Sequence, residues 1–213
     1  MFDRSARTAA EISGRQSACD LQLAESRHRA ANMLASIAGL IRREIRSSSH
    51  PHQSLPRLAA QVEAFAVLHT MLSRRGAAEA VRIDHFLAQF GPALQAALLD
   101  PIGARLSIEA DEAEMSARQI QALGLVAVEL VINAAKHAFP GIANAEVALQ
   151  SGVDCNGNAH LIVEDNGAGF DPTLPSTREG LGLAGALVGA ARGNLSVESS
   201  PSGTRFTVVL PVR

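Results

Sequence analysis

The sequence predicts an α+β protein in which an N-terminal helical hairpin is followed by an α/β sandwich, with one layer of helices on one layer of strands. Two observations lead to this fold class. The first third of the chain has apolar residues at helical spacing on either side of a short polar segment. From residue 104 onward, helical patterns are interleaved with strand patterns. We place the boundary at residue 78, so that 1–78 forms the hairpin and 79–213 the sandwich.

The hairpin is predicted from two amphipathic segments. Residues 18–46 have the pattern of one long helix, and a second helix follows the polar segment 47–54, where Pro51 and Pro56 can end one helix and begin the next. The second helix repeats the apolar spacing through Leu58, Val62, Phe65, Leu68 and Leu72. Each helix has one apolar stripe and little to bury it against. We therefore expect a homodimer in which two hairpins form a four-helix bundle.

The second domain is predicted from alternating patterns. Helical patterns cover 83–99, with a kink expected at Pro92, and also 116–138 and 181–192. Strand patterns cover 104–110, 145–152, 158–165, 194–200 and 203–211. Asn156-Gly157 is a strong signal for a hairpin turn between the second and third strands. Residues 74–80 have the composition of a linker.

Composition limits the classes of function. The formal net charge of −2 lacks the basic excess of nucleic-acid binders, so we expect no nucleic-acid partner. The sequence has no apolar stretch of membrane-spanning length and no apolar signal core near residue 1, so we expect no direct membrane insertion. The two cysteines, Cys19 and Cys155, lie far apart and form no metal-ligand pattern. A reducing, cytoplasmic location is the expectation.

Glycine patterns raise the question of phosphate binding. The chain lacks a G-x-x-x-x-G-K-[ST] motif, which argues against a P-loop. Residues 180–185 read G-x-G-x-x-G, and Glu198 lies at a suitable distance for the ribose contact of a dinucleotide site. That fingerprint needs a strand leading into its first glycine, whereas a polar loop containing proline precedes it here. Only 15 residues follow Glu198, too few for the rest of a doubly wound sheet, so we disfavour this interpretation.

Polar residues gather on one face of the predicted helix 116–138. In its second half, residues 129–138, the polar positions fall at i, i+4, i+7 and i+8, and they are Glu129, Asn133, Lys136 and His137. The rest of the helix is mostly apolar, which favours a functional row over a plain solvent-facing side. A second group, Asp165-Asn-Gly-Ala-Gly169, follows an apolar strand directly. A carboxylate followed by two glycines lets the backbone approach a ligand closely.

These groups, with Gly180–Gly182 and Gly203-Thr204 in the same order, resemble the N, G1, G2 and GT boxes of the GHKL (Bergerat) ATP-binding fold over residues 104–211. The resemblance implies ATP and Mg²⁺ as cofactors. It implies that Asn133 holds the metal ion, with Glu129 beside it as a catalytic residue, and that Asp165 accepts a hydrogen bond from the adenine amino group. It further assigns Lys136 and His137 to the phosphates, Gly167 and Gly169 to the pocket, Gly180 and Gly182 to the lid, and Thr204 to the adenine end.

The first helix contains the pattern E-x-x-H-R-x-x-N, in which His28 lies about 140° around the helix from the apolar stripe and is expected to be exposed. This pattern resembles the phosphoacceptor box of the second-type histidine kinase dimerisation domain, a relative of the HWE kinases. Residues 62–72, including His69, resemble the second helix of that domain. The chain departs from the family at Ala31, where Lys is common, at Arg29, where an acidic residue is common, and in having no Trp.

The resemblance implies a two-component histidine kinase, which transfers the γ-phosphoryl group of ATP to His28 and then to an aspartate of a response-regulator receiver domain. Glu25 would orient the imidazole and Arg29 would screen the phosphate charge. Since no sensor domain precedes the hairpin, we expect a separate sensor protein as a partner. Two alternatives stay open. One is a histidine phosphotransfer protein without autokinase activity, and the other is an anti-sigma serine kinase, which should lack the hairpin.

Overall fold

The structure, a computed structural model of the chain, describes residues 51–72, 79–172 and 181–211, together with single positions between residues 24 and 41. Those single positions, which represent the predicted helix 18–46, are all helical. Most of the predicted linker 74–80 lies outside the described residues.

The second helix of the hairpin is present as α1, Pro51–Leu72. It begins at Pro51, where the missing proline N–H is harmless because amides of the first turn have no partner within the helix. Pro56 lies inside the helix, so only the first of the two prolines marks a boundary. The buried side of α1 includes Phe65 and Leu68, which pack into the same core as the sandwich.

Two short strands were not predicted from the sequence. Strand β1, Ala80–Arg82, pairs antiparallel with β3, Glu114–Ser116, as a separate two-stranded sheet. The linker prediction was therefore wrong at residue 80. Strands of three residues carry too few positions for an alternating pattern to be recognised.

Helix α2, Ile83–Leu94, confirms the helical prediction in this region, although the predicted end at residue 99 lies in a different kind of helix. Pro92 lies inside α2, and a turn of π-helix follows at Gln95–Leu99, then a turn of 3₁₀ helix at Asp100–Ile102. Proline removes one helical hydrogen bond, which accounts for the change of helix type here. The Gln95 side chain accepts a hydrogen bond from Leu106 N at 2.6 Å and so ties this turn to the sheet.

The main sheet has five strands, which are β2 Arg105–Ala110, β4 Glu146–Val153, β5 Ala159–Asp165, β6 Asn194–Ser200 and β7 Gly203–Leu210. Their order across the sheet is β2-β4-β5-β7-β6. Strands β2 and β4 are parallel, and the other neighbours are antiparallel. Each of these strands agrees with its predicted range to within one residue at both ends. A carboxylate organises the predicted turn between β4 and β5, because Asp154 Oδ1 accepts from Asn156 N at 2.9 Å and Asn158 N at 2.8 Å.

The helical layer includes α2, which packs on β2, together with α3, Ala117–His137, and α4, Gly182–Ala190. A reciprocal capping box between Ser116 and Gln119 starts α3. Within the described part of the chain, α3 is the one helix long and apolar enough to cross a membrane, and 67% of its apolar window is buried inside the protein. Its hydropathy is that of a core helix. The α+β fold with one layer of helices on one sheet is thus confirmed.

Candidate functional site

Asp165 ends β5 and is almost fully buried, with 7% of its surface exposed. Its Oδ1 accepts a hydrogen bond from Gly167 N at 2.9 Å, and the backbone N–H of Thr204 donates to the same carboxyl. Burial raises the pKa of the Asp165 carboxyl, against the opposing effect of these two N–H groups. A carboxylate in a dry site with two of its lone pairs occupied still has acceptor capacity to offer a ligand.

The segment Asp165–Phe170, which we call the Asp165 loop, is held against the end of α3. Ala168 N donates to Ala138 O at 2.8 Å. Asn166 fastens the same loop to the start of β4, since its Oδ1 accepts from Glu146 N at 2.8 Å. The pocket residues from β5 and the polar row on α3 are therefore brought together by backbone contacts that the sequence does not display.

The two glycines of the Asp165 loop are required by contacts within the protein. A side chain at Gly167 would collide with the backbone and side chain of Ala138. Gly169 has a φ of 63°, and a side chain there would collide with the carbonyl of Ser200. Sequence reasoning attributed these glycines to close approach of a ligand, whereas the structure attributes them to close packing of the loop on its neighbours.

Thr204 lies directly opposite Asp165 in the β5–β7 register and is 3% exposed. Its Oγ1 is 2.9 Å from Ser199 Oγ on β6. Ser199 Oγ also accepts a hydrogen bond from Phe170 N at 2.9 Å. Gly203, just before Thr204, has a φ of 140° and leaves room for the carbonyl of Asp165. Ser199 is a residue of this site that sequence reasoning missed, because a serine on an edge strand carries no signal by itself.

The polar row on α3 runs from the core to the surface. Glu129 is fully buried, Asn133 and Lys136 are partly buried, and His137 is exposed. Because Glu129 is buried, the polar row is not simply the solvent-facing side of α3. The Nδ2 atom of Asn133 is buried and has no hydrogen-bond partner among the residues that the structure describes. Because buried amide N–H groups are normally hydrogen-bonded, this donor is suited to an acceptor atom of a ligand, such as a phosphate oxygen.

The residues present fit a magnesium ion held jointly with nucleotide phosphates. No group of three or more His, Cys, Asp or Glu side chains that could hold a metal occurs in the described ranges. Mg²⁺ in phosphate-transfer sites commonly takes one or two protein ligands and completes its shell with phosphate oxygens and water. An amide oxygen from Asn133 is suited to such a shared site.

Of the remaining predicted site residues, one lies near the start of a described range and the others lie outside the described residues. Gly182 is the first residue of α4 and is exposed, with open space around it. Gly180 lies outside the described residues, and so do Glu25, His28 and Arg29 of the first helix of the predicted hairpin. Among the described residues, the last strand before the G-x-G-x-x-G motif is β5, which ends at Asp165, and the residues directly before the first glycine lie outside the described ranges.

Comparison with known proteins identifies both parts of the chain. Residues 25–98 match the family described as histidine kinase. Residues 118–213 match the family described as histidine kinase-, DNA gyrase B-, and HSP90-like ATPase. The first match covers the predicted phosphoacceptor pattern, and the second covers the polar row of α3, the Asp165 loop and Thr204.

Two curated relatives are histidine kinases by name. The chain is 29% identical over 210 residues to blue-light-activated histidine kinase 2 of Erythrobacter litoralis, which is 95% of this chain and 60% of the relative. It is 42% identical over 94 residues to the sensor histidine kinase MctS of Rhizobium johnstonii, which is 42% of this chain and 19% of the relative. The chain thus spans 60% or less of the length of these relatives.

Solved structures share the fold. The histidine kinase domain of a blue-light-activated histidine kinase from Erythrobacter litoralis superposes with a TM-score of 0.67 at 24% identity, covering 93% of this chain and 94% of that one. The histidine kinase AdeS of Acinetobacter baumannii gives a TM-score of 0.51 at 18% identity, covering 87% of this chain and 96% of that one. The two family matches show that the chain contains a histidine kinase domain over residues 25–98 and a GHKL-type ATPase domain over residues 118–213, and the solved structures agree with that fold.

Proposed function

We propose that the chain is a two-component histidine kinase that binds Mg-ATP, phosphorylates its own His28 and passes the phosphoryl group to an aspartate of a response-regulator receiver domain. The observation that carries this proposal is the occurrence, in one site, of a buried carboxylate, Asp165, and a buried Nδ2 atom of Asn133 that has no hydrogen-bond partner among the described residues. The carboxylate is suited to the amino group of a nucleobase. The Nδ2 donor of Asn133 is suited to a phosphate oxygen, and the Oδ1 atom of the same amide is the atom that would bind the metal ion.

The adenine end of the proposed site is built around Asp165. Its carboxyl is positioned by the N–H groups of Gly167 and Thr204 before any ligand arrives, so little reorganisation is needed on binding. The acceptor capacity that remains would take a hydrogen bond from the exocyclic amino group of adenine. Gly167 and Gly169 hold the loop, and Thr204 forms the opposite wall.

The phosphate end is assigned to α3 and the start of α4. Asn133 would hold the magnesium ion, which neutralises phosphate charge when it is bound. Glu129, deeper on the same face, would orient groups around the metal or the attacking nucleophile. Lys136 and His137 lie further toward the surface and would contact phosphate oxygens. Gly180 and Gly182 would allow the backbone of the lid to close over the phosphates.

The nucleophile in this proposal is a neutral ring nitrogen of His28. It attacks the γ-phosphorus of ATP in line with the departing ADP oxygen, and the ring loses its proton as the phosphoramidate forms. Glu25 would orient the imidazole and Arg29 would screen the phosphoryl charge. Positioning and charge neutralisation, and not covalent assistance from the protein, would supply most of the rate enhancement.

Homodimerisation is supported by the first helix. Leu34 is 61% exposed and Ile41 is 38% exposed, and they lie seven residues apart on a helix. Two large apolar side chains on one exposed face are suited to a partner helix, here the same helix of a second copy. We further propose a cytoplasmic location.

The test of this proposal is incubation of the purified chain with γ-labelled ATP and magnesium. Label should appear on the protein, survive alkali and be lost in acid, since protonation turns the phosphoramidate nitrogen into a good leaving group. His28→Ala should abolish labelling while nucleotide binding is retained. His69→Ala is the matched control, because it removes another histidine of the hairpin and should leave labelling at least partly intact.

Each alternative gives a different result in the same assay. A phosphotransfer protein without kinase activity would take label from a phosphorylated receiver domain but none from ATP. An anti-sigma kinase would place acid-stable label on a serine of its partner. Acid-stable label, or label that persists in the His28→Ala variant, would contradict the assignment of His28.

A further inference from the structure

We propose that Ser199 is a positioning residue of the nucleotide site, whose hydroxyl fastens the far end of the Asp165 loop to Thr204. This inference rests on the ATP site proposed above and names a residue that neither the motifs nor the family resemblance assigns. It concerns how the pocket keeps its shape, and Ser199 itself need not touch the nucleotide.

Both ends of the Asp165 loop are attached to residues of β6 and β7. At its start, Asp165 pairs with Thr204 across β5 and β7, and the Thr204 N–H donates to the Asp165 carboxyl. At its end, Phe170 N donates to Ser199 Oγ at 2.9 Å. Since Ser199 Oγ is also 2.9 Å from Thr204 Oγ1, hydrogen bonds link Asp165, Thr204, Ser199 and Phe170 and close a ring around the loop.

Packing reinforces this link. The Phe170 ring lies against that of Phe206 on β7, with ring centroids 6.3 Å apart. Gly169, between the two anchors, lies so close to the Ser200 carbonyl that a side chain would not fit. The end of the loop is therefore held against the residues that join β6 to β7, and the Ser199 hydroxyl is the polar element of that contact.

The hydroxyl of Ser199 also determines which way the Thr204 hydroxyl points. A serine hydroxyl has one proton and two lone pairs, and the Phe170 N–H occupies one lone pair. If Ser199 donates its proton to Thr204, the Thr204 proton is directed elsewhere. If Thr204 donates to Ser199, Thr204 presents lone pairs alone to its other neighbours. In both arrangements, removing the Ser199 hydroxyl leaves Thr204 and the Phe170 amide each without a partner they have in the native protein.

The experiment compares the affinities for Mg-ATP and Mg-inosine triphosphate, measured by isothermal titration calorimetry on the full chain. Inosine triphosphate carries a carbonyl where ATP carries its amino group, so a positioned Asp165 carboxylate should discriminate against it. For Ser199→Ala we expect ATP to bind about tenfold more weakly, equivalent to about 1.4 kcal/mol, and the preference for ATP to decrease. A purely structural role would lower stability, or weaken both nucleotides equally, and leave the preference unchanged.

Two control variants accompany Ser199→Ala. Ser196→Ala makes the same chemical change on the same strand, at an exposed position whose Oγ lies 3.5 Å from Thr207 O and away from the loop, so it should leave both affinities unchanged. Ser199→Thr retains the hydroxyl and should restore the preference for ATP. A Ser199→Ala variant that binds both nucleotides like the wild type would overturn the proposal.

The proposed function can fail separately. A wild-type chain that shows no preference for ATP would contradict the adenine contact of Asp165 itself, before Ser199 is in question. If Ser199→Ala does not fold, amide hydrogen exchange of the wild type decides instead. The Phe170 amide should be protected, and exchange at the rate of an unstructured chain would refute the Ser199 contact.

Discussion

The contact between α1 and α3 can be tested with a single added methyl group. Gly124 lies in the middle of α3, and an added Cβ there would lie 2.7 Å from Leu68 Cδ1 and 3.1 Å from Leu68 Cδ2. Leu68 is 1% exposed, so its side chain would have to shift within the core to admit the added methyl group. Replacing Gly by Ala in a helix gains about 1 kcal/mol of intrinsic propensity, whereas overpacking a core costs about 1–3 kcal/mol. We therefore expect Gly124→Ala to destabilise the chain by about 1 kcal/mol.

A double-mutant cycle separates the two effects. Leu68→Ala alone should cost about 2–5 kcal/mol, because it leaves a cavity between α1 and α3. In that background the obstruction is gone, so Gly124→Ala should now stabilise the chain by about 1 kcal/mol. Gly189→Ala is the control. It makes the same change within α4, where nothing lies within 4 Å of the added group, and it should stabilise by about 1 kcal/mol in either background.

Equilibrium unfolding in urea, followed by circular dichroism at fixed protein concentration, measures all four combinations. If Gly124→Ala stabilises the wild-type chain as Gly189→Ala does, α1 does not pack on α3 as described. Gly124 and Asn133 are nine residues apart, which places them about 180° apart around α3. The substitution should thus change stability with little effect on the affinity for Mg-ATP.

Four further outcomes are expected. Asn133→Ala should weaken Mg-ATP binding by at least about tenfold and change metal-free ATP binding less, by calorimetry with and without magnesium. Burial raises the Asp165 pKa above its ordinary 3.8, so the unliganded fold should lose stability as pH rises from 3.8 through the raised value. ATP affinity should have the opposite dependence and fall as acid protonates the carboxyl. Unfolding and ATP binding measured across pH test both signs, and Asp165→Ala should remove both dependences. Gly203→Ala should lower the free energy of unfolding by roughly 2 kcal/mol, since its φ of 140° is unfavourable for a residue with a side chain, and thermal unfolding should show a lower midpoint. Light scattering should give twice the mass of one chain, and Leu34→Glu should shift the protein toward the monomer; a monomeric wild type at micromolar concentration would contradict the dimer.

Much of the fold could be predicted because its elements are long enough to show their period. The apolar repeat of α3 and the alternation in β4, β5 and β7 locate these elements to within about two residues, as is usual for such predictions. The exceptions are the three-residue strands β1 and β3 and the change of helix type after Pro92. These depend on pairing and hydrogen-bond rearrangement that a pattern of single residues does not carry.

The sequence by itself determined the fold class, the order of the motifs and the chemical identity of the central groups: a carboxylate after a strand, an amide on an apolar helix and a threonine after a glycine. Only the tertiary structure decided why Gly167 must be glycine, which residue anchors Phe170 and how α1 packs on α3. The physical reason is distance along the chain. Ala138, Ser199 and Thr204 meet the Asp165 loop through sheet order and strand register, and these are properties of the folded chain as a whole.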